Sequence, residues 1–191
     1  MKPAYFCRWV VLLVSGFSAL ATGGESEARK TSLLCVKGIE CGGCFYTVQT
    51  ALTQAKGVED AEVIQSFEDY ARVVYDPKVT TEHQLADAVY DSIQLHADPY
   101  TATLKLRIPD YAEHAGTVDR LFAEWKQWVK LEVEDRAQGM LRIHFLPIEG
   151  ANAEGQAQGW SLELLAAAMK TAGRGGVPLK FELPDPGKSP L

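Results

Sequence analysis

Two cysteines separated by two glycines, Cys41-Gly42-Gly43-Cys44, are the residues of this chain best suited to chemistry. An apolar run (Leu33, Leu34, Val36) precedes them and a helix-period pattern (Val48, Ala51, Leu52, Ala55) follows, so the two thiols fall on a strand-to-helix turn. The first turn of a helix has free backbone N–H groups and the positive end of the helix dipole. Both favour thiolate over thiol, and thiolate is the form that binds metal. Two intervening residues let both sulfurs converge on one ion, and glycine at 42 and 43 lets the loop bend without side-chain clash. Spacing alone leaves three readings open: a soft-metal site, a structural disulfide, or two unrelated thiols.

The surrounding pattern supplies the elements that must position this turn. It predicts a strand over residues 33–37 and a helix over 44–56, closed by Gly57 in the C′ position. Strands over 58–67 and 70–75 follow around Glu68-Asp69 as an antiparallel hairpin, ended by Asp76-Pro77. Thr80 or Thr81 then caps a helix to about residue 92, with Leu85, Ala88, Val89 and Ser92 on one face. A short fourth strand is expected at 94–98. The order strand–helix–strand–strand–helix–strand is the split βαβ of the ferredoxin-like fold.

The run Gly38-Ile39-Glu40-Cys41-Gly42-Gly43-Cys44, with Thr47-Val48, Ala51-Leu52 and Gly57-Val58 in register behind it, resembles the heavy-metal-associated domain family. That family includes periplasmic mercury-binding proteins, copper chaperones and the N-terminal domains of metal-pumping ATPases. The resemblance covers residues 31–100 and is most similar to the periplasmic mercury-binding type. It implies that Cys41 and Cys44 hold one soft ion in near-linear bis-thiolate coordination on an exposed loop. Two departures stand out. Ile39 occupies the place of a usual Met. The second helix usually ends in Gly followed by an aromatic or basic residue facing the metal loop, and Ile93 and Gln94 occupy those places here.

Residues 1–21 read as a secretory signal peptide: Lys2 and Arg8, an apolar run from Trp9 to Leu20, and the small-x-small site Ala19-Leu20-Ala21. The run is short for a membrane span, so the mature form is expected to have none, and the protein to be periplasmic or otherwise exported. Residues 22–30, rich in Gly, Ser and charge, read as a flexible leader. Removing 1–21 takes away Lys2 and Arg8 and no acid, leaving 17 basic and 25 acidic residues, a formal net charge of −8. That balance argues against a nucleic-acid partner. Cys35, Cys41 and Cys44 remain, an odd number, so at least one thiol is outside any internal disulfide.

The second half repeats the first at a shift of 70 residues. Leu34 and Val36 match Leu104 and Leu106; Val48, Ala51, Leu52 and Ala55 match Val118, Leu121, Phe122 and Trp125; Thr47-Val48 recurs as Thr117-Val118. After an insertion at 149–159, Leu165, Ala168, Met169 and Ala172 match at a shift of 80, and a last strand is expected at 177–183. The fold class that follows is α+β, two tandem ferredoxin-like βαββαβ domains: 31–100 carrying the CxxC, 101–184 a degenerate metal-free copy, and 185–191 a tail. Tyr111 and His114 stand where Cys41 and Cys44 would recur, and a phenol with one imidazole makes a poor soft-metal site.

Cys35 alternates with Leu34 and Val36, so it faces away from the helices; it reads as a partly buried inert thiol beneath the second domain, or alternatively as a reactive thiol forming an intermolecular disulfide. His83 and His96 lack ligand partners at useful spacing and read as surface residues. Trp125, Trp128 and Trp160 fit a core or a domain interface. No GxSxG, HExxH, phosphate loop or recognisable carboxylate pair occurs, and enzymatic activity is not expected.

Two functions remain. One is a metallochaperone-like carrier with Cys41 and Cys44 as ligands, passing its ion to a membrane metal transporter or another metal-accepting protein. The other is a thiol-disulfide oxidoreductase using the same pair, disfavoured because the chain lacks the thioredoxin order of elements. Two thiolates suit Hg(II) or Cu(I) better than Zn(II) or Cd(II).

Overall fold

A computed structural model describes residues 29–148, 157–172 and 178–186. The signal segment, nearly all of the leader, most of the 149–159 insertion and residues 187–191 lie outside the described residues. The elements run β1 (Lys30–Lys37), α1 (Gly42–Gln54), β2 (Val58–Ile64), β3 (Tyr70–Tyr75), α2 (Glu82–Tyr90), β4 (Thr101–Arg107), α3 (Tyr111–Glu124), β5 (Val129–Asp135), β6 (Met140–Phe145) and α4 (Leu162–Ala172). The sequence therefore places ten elements correctly in kind and order, as two successive βαββα sets. None of the four helices is long and apolar enough to cross a membrane.

The expectation of two separate four-stranded sheets is corrected. One six-stranded antiparallel sheet runs through both halves in the order β2-β3-β1-β4-β6-β5. Residues 94–98 form no strand. Of the expected last strand, residue 177 lies outside the described part, and Glu182 makes only an isolated bridge to Arg107. The cause is competition for one edge. In a βαββαβ unit the place beside the first strand falls to the fourth. Here β4 pairs with β1 instead, Leu34 opposite Leu104 and Cys35 opposite Thr103. Ile93 to Asp98 has little β-branching and runs into Pro99, so it competes poorly with Thr101–Arg107 for the open N–H and C=O groups of β1.

The alternation of the strands sends Leu34, Val36, Ala71, Val73, Leu104, Leu106, Leu141 and Ile143 to one face, where they share a single core with the buried residues of all four helices. Val48 and Leu52 come from α1, Leu85 and Val89 from α2, Val118 and Phe122 from α3, and Leu165 and Met169 from α4. Trp125 and Trp160 are buried in that core, as expected, Trp160 edge-on to Phe145 and stacked near Phe122.

The opposite face carries charge. Glu68, on the β2–β3 turn, reaches Lys105 of β4 (2.5 Å) and Arg142 of β6 (2.6 Å), and Arg142 also pairs with Glu134 (2.6 Å). This bridge lies over Cys35, which is fully buried, and burial pushes its thiol up to about 11. An inert Cys35 is therefore what the packing gives.

Helix α2 differs from its expected single apolar stripe, because residues 82–87 are buried all round. Thr81, one of the two expected N-caps, forms a capping box with Gln84, and both also bind the segment leading to α4: Thr81 donates to the Gln158 carbonyl (2.5 Å) and the Gln158 N–H donates to Gln84 (3.1 Å). His83, expected at the surface, is wholly buried. Its Nδ1 accepts from the Trp160 N–H (3.2 Å), so its Nε2 donates to the Leu146 carbonyl (2.5 Å), and burial holds its pKa below the usual imidazole value. Glu82 accepts from Tyr75 and from the Leu162 N–H (3.1 Å) at the start of α4. The sequence could not show this, because the hydrogen-bond partners that bury Thr81, Glu82, His83 and Gln84 lie more than 60 residues further along the chain, apart from Tyr75.

Candidate metal centre

The strand–turn–helix unit builds the site as the spacing requires. Gly38 leaves β1 with φ +90, a left-handed conformation that only glycine adopts without strain, and so turns the chain beneath Tyr100. Cys41 is the N-cap of α1 in extended conformation, and its sulfur accepts the Cys44 N–H (3.3 Å). Cys44 falls in the first turn, fully buried, while Cys41 is partly exposed and Gly42 and Gly43 are exposed. Both thiols are free, with their sulfurs 2.7 Å apart.

Burial raises the Cys44 pKa, but hydrogen bonds outweigh it. They come from the Cys41 thiol, the Tyr100 hydroxyl and the backbone at Glu40 and Cys41, and together they bring Cys44 down to about 6. Tyr100 is wholly buried and links site to loop: its oxygen accepts the Leu95 N–H (3.3 Å), and its hydroxyl is among the groups that lower the Cys44 pKa. Ile93 and Gln94, the positions considered for a group facing the metal loop, are exposed; Leu95, His96 and Tyr100 stand there instead.

His96 corrects a further expectation. It does not lack ligand partners: its ring, Cys41 Sγ and Cys44 Sγ present donor atoms that all lie within 4.8 Å of one another. Its Nδ1 is 3.9 Å from the Glu40 carboxylate. No spacing rule finds a histidine 52 residues beyond Cys44. The usable signal was Pro99-Tyr100, which forces the chain to return to the start of β4 beside the turn. Tyr111 and His114 make no counterpart site. Tyr111 is buried, donating to Asp119 (3.2 Å) beneath Arg136, and His114 is half-buried on α3.

Comparison with protein-family models and with curated proteins gives no match. Two solved structures from Bacillus subtilis align with the chain. The N-terminal soluble domains of CopA are 18% identical, with 85% of this chain and 99% of that chain covered and a TM-score of 0.35. The water-soluble region of the P-type ATPase CopA is 20% identical, with 82% and 92% covered and a TM-score of 0.37. These alignments are loose, and the site's own geometry decides what it can bind.

The donor set fits a soft ion. Two sulfurs converge, one already biased to thiolate near neutral pH, at a helix N-terminus that offsets their negative charge. One side of the pair opens to solvent through Gly42 and Gly43, so an ion can enter and leave.

Proposed function

We propose that this chain is a soft-metal carrier that holds one Hg(II) or Cu(I) ion through Cys41 and Cys44 and passes it on by ligand exchange without turnover. The observation that carries the reading is the convergence of two free thiols on the first turn of α1, one of them with its pKa lowered to about 6. Zn(II) and Cd(II) suit a pair of thiolates less well. The partly exposed Cys41 offers an incoming ligand access while the buried Cys44 keeps the ion bound. The acceptor we propose is a membrane metal transporter or another thiolate-bearing protein, met outside the cytoplasm, as the N-terminal signal pattern suggests.

The oxidoreductase alternative is less well supported. Such an enzyme needs an accessible, acidic thiol to attack an external disulfide. Here Cys44 is fully buried, Cys41 is only partly exposed, and the order of elements is not that of thioredoxin. The test is catalytic exchange on a model disulfide. We expect negligible turnover from the reduced protein beside a thioredoxin-type enzyme, and robust turnover lost in Cys41→Ser would replace the carrier with an enzyme.

A further inference from the structure

We propose that His96 is the third ligand of this centre, so that Cys41, Cys44 and His96 together take one Cu(I) ion as a two-thiolate, one-imidazole set. The proposal rests on the carrier reading and narrows it to one metal. It starts from position: the three donor atoms lie within 4.8 Å of one another. The loop that carries His96 is tied down immediately beside it. The Leu95 N–H donates to Tyr100, the same hydroxyl that faces Cys44. The Leu95 side chain lies against Gly43, where an added Cβ would come within 2.8 Å of Leu95 Cδ1. The histidine loop and the thiol turn are therefore in contact through Leu95 and Gly43. The Glu40 carboxylate stands 3.9 Å from His96 Nδ1, within ion-pair reach of the ring on the same side of the turn.

Donor chemistry selects the ion. Thiolates favour Cu(I) and zinc, and imidazole suits zinc, copper, iron and nickel, so copper and zinc satisfy both. Zinc in a closed site takes four protein donors. Among the described residues no fourth Cys, His, Asp or Glu joins the group. Three donors serve Cu(I), whereas Hg(II) is already satisfied by the two thiolates. Binding releases the proton of each sulfur that is still a thiol and changes no oxidation state. The His96 side chain is 41% exposed, so it is the ligand that can leave first and admit a donor from the acceptor.

The test compares the reduced full-length protein with His96→Ala and with the Cys41→Ser/Cys44→Ser double variant, using Cu(I) against a competing chelator and, separately, Hg(II). X-ray absorption at the copper edge of the wild type should show two sulfur neighbours and one nitrogen, and His96→Ala should show two sulfurs only. Loss of the imidazole should weaken Cu(I) binding by at least the roughly 10- to 100-fold that loss of an outer-shell partner costs and leave Hg(II) binding unchanged. Identical copper spectra and Cu(I) affinities in wild type and His96→Ala, with binding still lost in the double variant, would overturn the third ligand and leave the carrier standing. Undiminished Cu(I) binding by the double variant would overturn the carrier itself. His96 is on an exposed loop outside the core, so its removal does not threaten the fold.

Discussion

Leu34 and Leu104 face one another across the β1–β4 pair, and they are also counterparts under the 70-residue repeat. Cys35 opposite Thr103 and Val36 opposite Ala102 follow in order on one side of them. A local two-fold axis therefore passes through this pair and relates the two βαββα halves. The hairpins obey the same relation: Ala61 faces Val73 as Leu131 faces Ile143. The halves depart from it where Leu34 faces Ala71 but Leu104 faces Ile143, a slip of two residues. A slip of two keeps every side chain on its own face of the sheet, so the apolar pattern survives it.

The shared seam predicts one cooperative unfolding unit. All tryptophans beyond the signal segment (Trp125, Trp128 and Trp160) are in the second half, so their fluorescence reports on that half alone. Leu34→Ala, in the first half, removes a fully buried side chain and should cost about 2–5 kcal/mol. Urea transitions followed by tryptophan fluorescence and by far-ultraviolet circular dichroism should coincide and shift together. A fluorescence transition that stays in place while the dichroism moves would mean two independent domains.

The buried carboxyl of Asp87 sets a pH dependence of stability. Burial pushes its pKa up to about 6, against a backbone hydrogen bond at Ile148, and its Oδ2 has no partner. A raised folded-state pKa means stability that is fully present below the unfolded value near 4 and is lost as pH rises through about 6. Asp87→Asn should therefore match the wild type near pH 4 and exceed it above pH 7 by about 1–3 kcal/mol. Chemical denaturation at both pH values checks this, and a variant less stable than wild type at high pH would contradict it.

Thiolate formation at the metal turn should be visible without metal. The ultraviolet thiolate absorbance of the reduced protein should appear with an apparent midpoint at about pH 6, a property of the coupled Cys41–Cys44 pair. Tyr100→Phe removes a hydrogen bond to Cys44 and should move that midpoint up. A wild-type midpoint near 9, or no change in Tyr100→Phe, would remove Tyr100 from the site.

The legible part of this protein is the part encoded locally. The CxxC turn, the Thr81 cap and the strand alternation all depend on residues within a few positions of one another, and each is found where the sequence places it; α1 instead stops early at its Ala55 cap, and Gly57 (φ +82), expected at C′, turns the chain into β2. What escaped reading depends on partners distant in sequence. Strand β4 takes the edge of β1 that a fourth strand would have filled, which merges two sheets into one. His83 looks like a surface histidine until Trp160 and Leu146 close over it. His96 looks isolated until the return to Tyr100 sets it beside the thiols.

The most direct test of the carrier is the stoichiometry of a soft ion on the reduced protein, followed by native mass spectrometry during titration with Cu(I) or Hg(II). Wild type should take up one ion per chain, and Cys41→Ser/Cys44→Ser should take up none while keeping the wild-type circular dichroism, because serine nearly matches the volume of cysteine at the buried Cys44 and Cys41 is only partly buried at the edge of the core. One ion bound with undiminished affinity by the double variant, or none bound by the reduced wild type, would contradict a metal centre at Cys41 and Cys44.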